Sequence, residues 1–186
     1  MPPTWLLACL VALVVTPLVF PRDAAADERT MRERIRAILM VRKHAPPPKF
    51  WKRLGHTGQD ALVNLATDIK QKLMIRVRAY GCLAYYPNVR SRRVLLAALN
   101  NPEVKMVLRQ AALRALGAGF RLEAVHELTR FIYDRSPDLR ISAAEGLYFV
   151  PLHVARRILV TALENEKELQ VREAIMASLN RQTRKR

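Results

Sequence analysis

A short motif recurs four times along the chain, with 31, 31 and 32 residues between successive copies. Each copy opens with an aliphatic residue followed by arginine, and these arginines are Arg78, Arg109, Arg140 and Arg172. Three further positions match in all four copies. Three residues after the arginine come Gly81, Ala112, Ala143 and Ile175, and six residues after it come Ala84, Ala115, Gly146 and Ser178. Seven residues after the arginine come Tyr85, Leu116, Leu147 and Leu179. Counted from the aliphatic residue, these columns lie on one face of an α-helix. A repeat of this length predicts stacked units that bury their apolar faces against one another.

A second helix is predicted between successive copies, marked by Leu95 and Leu99, by Val125, Leu128 and Ile132, and by Leu159 and Leu163. Breakers separate the two helices of each unit at Pro87-Asn88, at Gly117 to Gly119 and at Pro151. Between units, two triplets are typical of the start of a helix, with a capping residue, a proline in the first turn and an acid. They are Asn101-Pro102-Glu103 and Ser136-Pro137-Asp138. Each unit is therefore predicted to be a helical hairpin. The chain is predicted to be all-α, which fits its low glycine content.

This pattern resembles the HEAT-repeat family, especially short bacterial HEAT-like repeats of about 31 residues. The resemblance rests on VRAYGCLAY from Val77, LRQAALRALG from Leu108, LRISAAEGL from Leu139 and VREAIMASL from Val171, and it covers roughly residues 58–180. It implies an α-solenoid of about four stacked antiparallel hairpins plus an N-terminal cap. The repeats are shorter than those of longer HEAT units, so the resemblance does not predict the curvature.

The resemblance also implies a structural ladder, in which each repeated arginine pairs with an acid across neighbouring units. Glu103, Asp134 and Glu166 each precede the next repeated arginine by six residues. The equivalent residue before Arg78 is Lys72, a cation, so the first unit departs from the pattern. Removing a partly buried rung is expected to cost about 1–3 kcal/mol through the partner left unpaired.

The N-terminus carries sixteen uncharged residues, Trp5 to Phe20, followed by a small-x-small pattern at Ala24 and Ala26. We interpret residues 1–26 as a signal peptide cleaved after Ala26, which predicts a periplasmic or secreted protein. No cation precedes the apolar run and several arginines follow it, so an uncleaved membrane anchor and a wrongly chosen start codon stay open.

The remaining ends of the chain have simpler interpretations. Residues 27–57 are predicted to form an N-terminal helical cap with a rigid corner at Pro46-Pro47-Pro48, and Gly55 to Gly58 is predicted to break its last helix. The proline triplet as a polyproline ligand is the alternative. Residues 181–186 form a basic tail, interpreted as a solubilising end.

The chain has 32 Lys and Arg against 16 Asp and Glu, which gives a net charge of +16. Such an excess indicates either a solvated positive surface or a site for an acidic partner. Cations that cluster at the starts of the second helices are the candidate anion- or partner-binding residues, namely Arg90, Arg92, Arg93, Arg121, Arg156 and Arg157. They would recur along one edge of a stack of hairpins.

No pattern in the sequence predicts catalysis, a cofactor or a metal site. His44, His56, His126 and His153 are scattered without metal-ligand spacing, and Cys82 is interpreted as a buried structural thiol. Phosphate-binding loops and nucleophile elbows are missing from the sequence.

Three hypotheses for the function follow. The first is a monomeric, non-catalytic scaffold that binds a protein or anionic partner through its basic surface, a role that fold-level analogy suggests. The second is a nucleic-acid binder that contacts phosphate backbone, in which case affinity would fall steeply with salt. The third is an enzyme, because the short repeats resemble those of bilin lyases and of HEAT-like alkylpurine DNA glycosylases.

Overall fold

The computed structural model of the chain describes residues 24–41 and 46–183, and within these ranges all regular structure is helical, as predicted. The helices are α1 (Ala24–Met40), α2 (Pro48–Arg53), α3 (Gly55–Thr67), α4 (Leu73–Cys82), α5 (Val89–Asn100), α6 (Met106–Phe120), α7 (Val125–Phe131), α8 (Pro137–Leu147), α9 (Leu152–Asn165) and α10 (Leu169–Thr183). The apolar run Trp5 to Phe20 and the end of the basic tail lie outside the described residues. Across the described ranges, no helix combines the length and apolar character needed to cross a membrane.

Two sets of helices alternate along the chain from α3 onward. Helices α4, α6, α8 and α10 carry the repeated arginines and contact one another in succession; we call them the arginine helices. Helices α3, α5, α7 and α9 are the intervening helices, and each packs on the arginine helix that follows it. Contacts between successive intervening helices are far fewer than those between successive arginine helices.

Glycine allows the closest approach between arginine helices. A Cβ atom at Gly117 of α6 would lie 2.5 Å from both Cα and O of Gly146 in α8. One at Gly119 would lie 2.7 Å from the carbonyl oxygen of Ala84, at the end of the preceding unit. Side chains cannot fit into separations this small, so the glycines set the spacing of the helices. Gly146 and Ala84 belong to the small-residue column that the sequence predicts.

The structure corrects the alignment of the first repeat by two residues. Ile75 is 2% exposed and matches Leu108, Leu139 and Val171, whereas Val77 is only partly buried. The arginine of the first unit is therefore Arg76 rather than Arg78. The columns after it become Ala79, Cys82 and Leu83, in place of Gly81, Ala84 and Tyr85. This alignment puts a leucine in every unit at the seventh position, and the arginine spacings become 33, 31 and 32 residues.

Helix α1 carries a further copy of the same pattern. Arg32 follows Met31, and Ile35, Ile38 and Leu39 occupy the positions three, six and seven residues later. Ile35 and Leu39 are buried, and α1 packs on both α3 and α4. The sequence predicts this region only as a cap, because the insertion of α2 lengthens the interval from Arg32 to Arg76 to 44 residues.

The junction between α2 and α3 is shorter than predicted. Gly55 to Gly58 does not interrupt a helix but forms the first turn of α3, and the break is confined to Gly55, whose φ is +57°. Pro48 is the first residue of α2, where its missing N–H is tolerated. Trp51 of α2 is 1% exposed and donates its indole N–H to the carbonyl oxygen of Pro46, 3.2 Å away. The proline corner is thereby fixed to the core.

Candidate partner-binding surface

Three of the four repeated arginines are held by backbone carbonyls at the end of the preceding intervening helix. Nε of Arg76 donates to the carbonyl of Ala66, and Nε of Arg109 to that of Leu99, each at 3.0 Å. Arg172 Nη1 donates to the carbonyl of Leu163 at 2.8 Å. A helix ends with unsatisfied carbonyls, so each arginine satisfies one of them and joins two successive helices.

The expected ladder of arginines and acids is present only in part. Glu103 pairs with no cation in the described part of the chain, and Asp134 offers Arg140 its backbone carbonyl, at 2.9 Å, rather than its carboxylate. The predicted pair of Glu166 with Arg172 likewise uses the Glu166 carbonyl oxygen, at 2.9 Å. The Glu166 carboxylate instead accepts two hydrogen bonds from Arg140 of the preceding arginine helix, at 2.7 and 3.0 Å.

The Arg140–Glu166 pair is well shielded from solvent, since the two side chains are only 14% and 8% exposed. Burial raises the pKa of Glu166, but the hydrogen bonds from Arg140 and from the N–H groups of Glu168 and Lys167 outweigh it and hold that pKa below its ordinary value of 4.5. Arg32 of α1 makes the corresponding contact with Asp68, which follows α3, at 2.5 Å. In both contacts an arginine pairs with the acid that precedes the next arginine helix, and these two pairs are the ones that resemble the expected ladder.

Two of the six predicted anion-binding arginines are occupied within the chain. Arg90 forms an ion pair with Asp60 of α3. Arg92 pairs with Glu127 of α7 at 2.5 Å, and the Glu127 side chain is 14% exposed. Both pairs tie one intervening helix to another, so these arginines act in packing and are poorly placed to meet a partner. The partner acids lie about 30 residues away in sequence, and no local spacing points to them.

The other four predicted arginines are exposed and have no acidic partner among the described residues. They are Arg93, Arg121, Arg156 and Arg157. Arg121 lies where α6 ends, with φ at +49°, a backbone conformation rare outside glycine. Arg93 lies on α5, whereas Arg156 and Arg157 share the second turn of α9.

Burial aligns three exposed basic residues at one position of the repeat. Ser91 of α5, Ala124 just before α7 and Ala155 of α9 are fully buried and mark equivalent positions. Two residues after each of them come Arg93, His126 and Arg157, all exposed. The sequence does not single out His126, because a lone histidine carries no signal until the repeat position is known. We call Arg93, His126, Arg156 and Arg157 the basic column.

A second surface feature lies on the arginine helices. Arg114 donates to Glu145 at 3.1 Å and to Ser142 Oγ at 3.3 Å, linking α6 to α8. Beside this pair is an open depression of about 310 Å³, whose wall includes Tyr148 and Phe149. Neither residue of this ion pair is predicted as a site from sequence, although both occupy the fifth position after the repeated arginine. The exposed pair contributes little to stability by itself.

Cys82 is half-buried and does not fully match the predicted structural thiol. It lines a cleft together with Arg78, Gly81 and Tyr85. Burial raises the pKa of the Cys82 thiol to about 12, against the opposing effect of the nearby Arg78 charge. The thiol is therefore protonated at neutral pH, and a protonated thiol is a poor nucleophile.

Within the described ranges, no three His, Cys, Asp or Glu side chains gather as ligands for a metal ion. His56, His126 and His153 are exposed and lie on three different helices. The fourth histidine, His44, falls outside the described residues. Comparison of the chain with protein-family models and with curated proteins finds no match.

Proposed function

We propose that the chain is a non-catalytic scaffold, built as a HEAT-like α-solenoid, that binds an acidic protein partner through the basic column. The solenoid is supported by the succession of contacts along the arginine helices and by Arg76, Arg109 and Arg172, each of which joins its helix to the helix before. The arginine helices pack more closely than the intervening helices, so the stack would curve toward them. The basic column would then lie on the convex side.

One observation carries this proposal: the arginines of the basic column have no partner among the described residues, whereas the repeated arginine of each arginine helix donates to the chain. Arg76, Arg109, Arg140 and Arg172 all donate to the chain itself. Arg93, Arg156 and Arg157 donate to no described residue and remain free to bind a carboxylate from outside. Arginine suits that task because its planar fork matches a carboxylate bidentately.

The proposal extends to the location of the protein in the cell. Export by residues 1–26 would bring the scaffold to the periplasm or the exterior, and membrane anchoring is the alternative. Mass spectrometry of the mature N-terminus after cell fractionation tests this. A chain that begins at Asp27 outside the cytoplasm supports export. An intact chain in the cytoplasm contradicts it and favours the nucleic-acid alternative.

Binding to a labelled glutamate-rich peptide tests the main proposal. The triple variant Arg93→Ala/Arg156→Ala/Arg157→Ala is expected to lose at least tenfold in affinity. Its matched control is Arg29→Ala/Arg34→Ala/Arg36→Ala, which removes the same charge from exposed positions of α1. Equal losses in the two variants would reduce the effect to net charge and contradict a defined site.

The second candidate is a nucleic-acid binder, favoured by the same unpaired arginines. A labelled DNA duplex distinguishes it from the scaffold, because each phosphate contacted lowers log K by about 0.9 per unit of log salt concentration. Binding of the duplex more tightly than the peptide, with a steep salt slope that the basic-column variant abolishes, would replace the scaffold proposal. Weak duplex binding that is alike in both variants would remove this candidate.

A further inference from the structure

A cleft of about 380 Å³ opens where the end of α1 meets α2 and α4. Its walls are mostly apolar and include Ile38, Leu39, Trp51 and Tyr85. The rings of Trp51 and Tyr85 lie parallel, with their centroids 6.2 Å apart. This volume and apolar lining fall in the range of small-molecule sites, which take their specificity from a few polar groups.

Arg78 is the one charged side chain among the described residues that line the cleft. The repeat does not use it, because Arg76 occupies the ladder position of the first unit. Nη1 of Arg78 donates to the carbonyls of Leu39 and Val41, at 2.5 and 3.3 Å, which fixes the guanidinium at the cleft wall. Its Nε and Nη2 have no acceptor in the described residues. Two donors with a positive charge therefore remain available to a ligand.

The other polar groups of the cleft are neutral at physiological pH. Burial raises the pKa of the Tyr85 hydroxyl above its ordinary value of 10.0, and that of the Cys82 thiol to about 12. No negative charge then competes for the Arg78 guanidinium from the described walls. A ligand that fits must be apolar along most of its length and carry one anionic group at one end.

We infer that this cleft binds a medium-chain acyl carboxylate, with the carboxylate on Arg78 and the chain against Ile38 and Tyr85, next to the buried ring of Trp51. The volume of about 380 Å³ lies at the small end of the range for ligand pockets, so decanoate is the probe chosen for this class. The site is separate from the basic column, so it stands or falls independently of the proposed function.

Calorimetric titration of the full chain with decanoate tests the inference, with decanol and decylammonium as the neutral and cationic analogues. Decanoate is expected to bind at least tenfold more tightly than decanol, and decylammonium not measurably. In a Trp5→Phe background, where Trp51 is the one tryptophan left, decanoate is expected to shift the Trp51 emission. Equal affinities for decanoate and decanol, or an unchanged Trp51 emission on binding, would overturn the inference.

Two variants locate the site. Arg78→Gln keeps a donor for the carbonyls of Leu39 and Val41 but removes the charge, and it is expected to lower decanoate affinity at least tenfold while leaving decanol binding unchanged. Gly81→Phe is expected to obstruct the cleft and abolish decanoate binding, since Gly81 lines the cleft and a Cβ there meets no atom within 4 Å. Ala97→Phe, at an exposed helical position of α5, is its control. Undiminished decanoate binding by Gly81→Phe would refute the site even if Arg78→Gln failed to fold.

Discussion

Two positions of the repeat, one on the arginine helices and one on the intervening helices, use the same side chain in opposite ways. On the arginine helices, the repeated arginine follows a buried aliphatic residue and donates to backbone carbonyls at the end of the preceding helix or, for Arg140, in the loop after it. On α5 and α9, Arg93 and Arg157 lie two residues beyond a fully buried small residue and point into solvent. Position in the repeat, rather than residue type, therefore separates arginines that stabilise the stack from arginines free to bind.

The largest effect is expected where two arginine helices approach most closely. Gly117→Val would place side-chain atoms where Gly146 backbone lies within 2.5 Å, so α6 and α8 must separate. We expect the free energy of unfolding to fall by about 3 kcal/mol or more, measured by urea denaturation. Gly81→Ala is the control, because it faces open space in α4 and should gain about 0.5–1 kcal/mol. Similar losses in both would contradict the packing assigned to Gly117.

The next largest effect on stability is expected at the Arg140–Glu166 pair, which is shielded from solvent. Glu166→Gln removes the charge that satisfies Arg140, and we expect a loss of about 1–3 kcal/mol in the free energy of unfolding. Glu145→Gln removes the partner of Arg114 in an exposed pair, because the side chains of Arg114 and Glu145 are 39% and 46% exposed. It should lower the free energy of unfolding by less than about 0.5 kcal/mol. A larger loss from Glu145→Gln would reverse the ranking of the two pairs.

The Arg140–Glu166 pair also determines how we expect stability to depend on pH. The pKa of Glu166 is lowered in the folded state, so its contribution to stability is complete above the ordinary value of 4.5 and is lost as pH falls through the folded pKa. The difference in unfolding free energy between the native chain and Glu166→Gln should thus be constant near neutral pH and shrink below about 4.5. A difference that stays constant into more acidic solution would show that the Glu166 charge is not what stabilises the rung.

The sequence predicts the repeat and three of its four arginines because their period of about 31 residues holds from Leu108 onward. Its break at Gly117 to Gly119 is wrong, because these residues lie within α6. It misplaces the first unit because Ile75-Arg76 and Val77-Arg78 are both aliphatic–arginine pairs, and only burial distinguishes them. A constant period favours Arg78, whereas the true interval to Arg109 is 33 residues.

Predictions for the site succeed less well for a related reason. The pairs Arg90–Asp60 and Arg92–Glu127 form between helices about 30 residues apart, so composition alone cannot show which cations are neutralised. His126 joins the basic column only through its repeat position. The cleft beside Arg78 depends on how α1 and α2 pack against α4, which no local pattern encodes.

The smallest effect on stability is expected in the basic column. Arg93→Ala and Arg157→Ala should each change the free energy of unfolding by less than about 0.5 kcal/mol, because neither side chain contacts a described acid. Thermal denaturation of each single variant measures this. A loss above 1 kcal/mol would mean that these arginines stabilise the stack after all.

The most direct test compares two double variants that remove equal charge, Arg93→Ala/Arg157→Ala and Arg109→Ala/Arg172→Ala. Unfolding free energy and affinity for a glutamate-rich peptide are measured on both. The first variant is expected to lose binding at least tenfold with stability unchanged within about 0.5 kcal/mol. The second should lose about 1–3 kcal/mol per arginine, because its carbonyl acceptors at Leu99 and Leu163 are left unsatisfied. Loss of stability in the first, or full stability in the second, would contradict the division of roles between the two sets of helices.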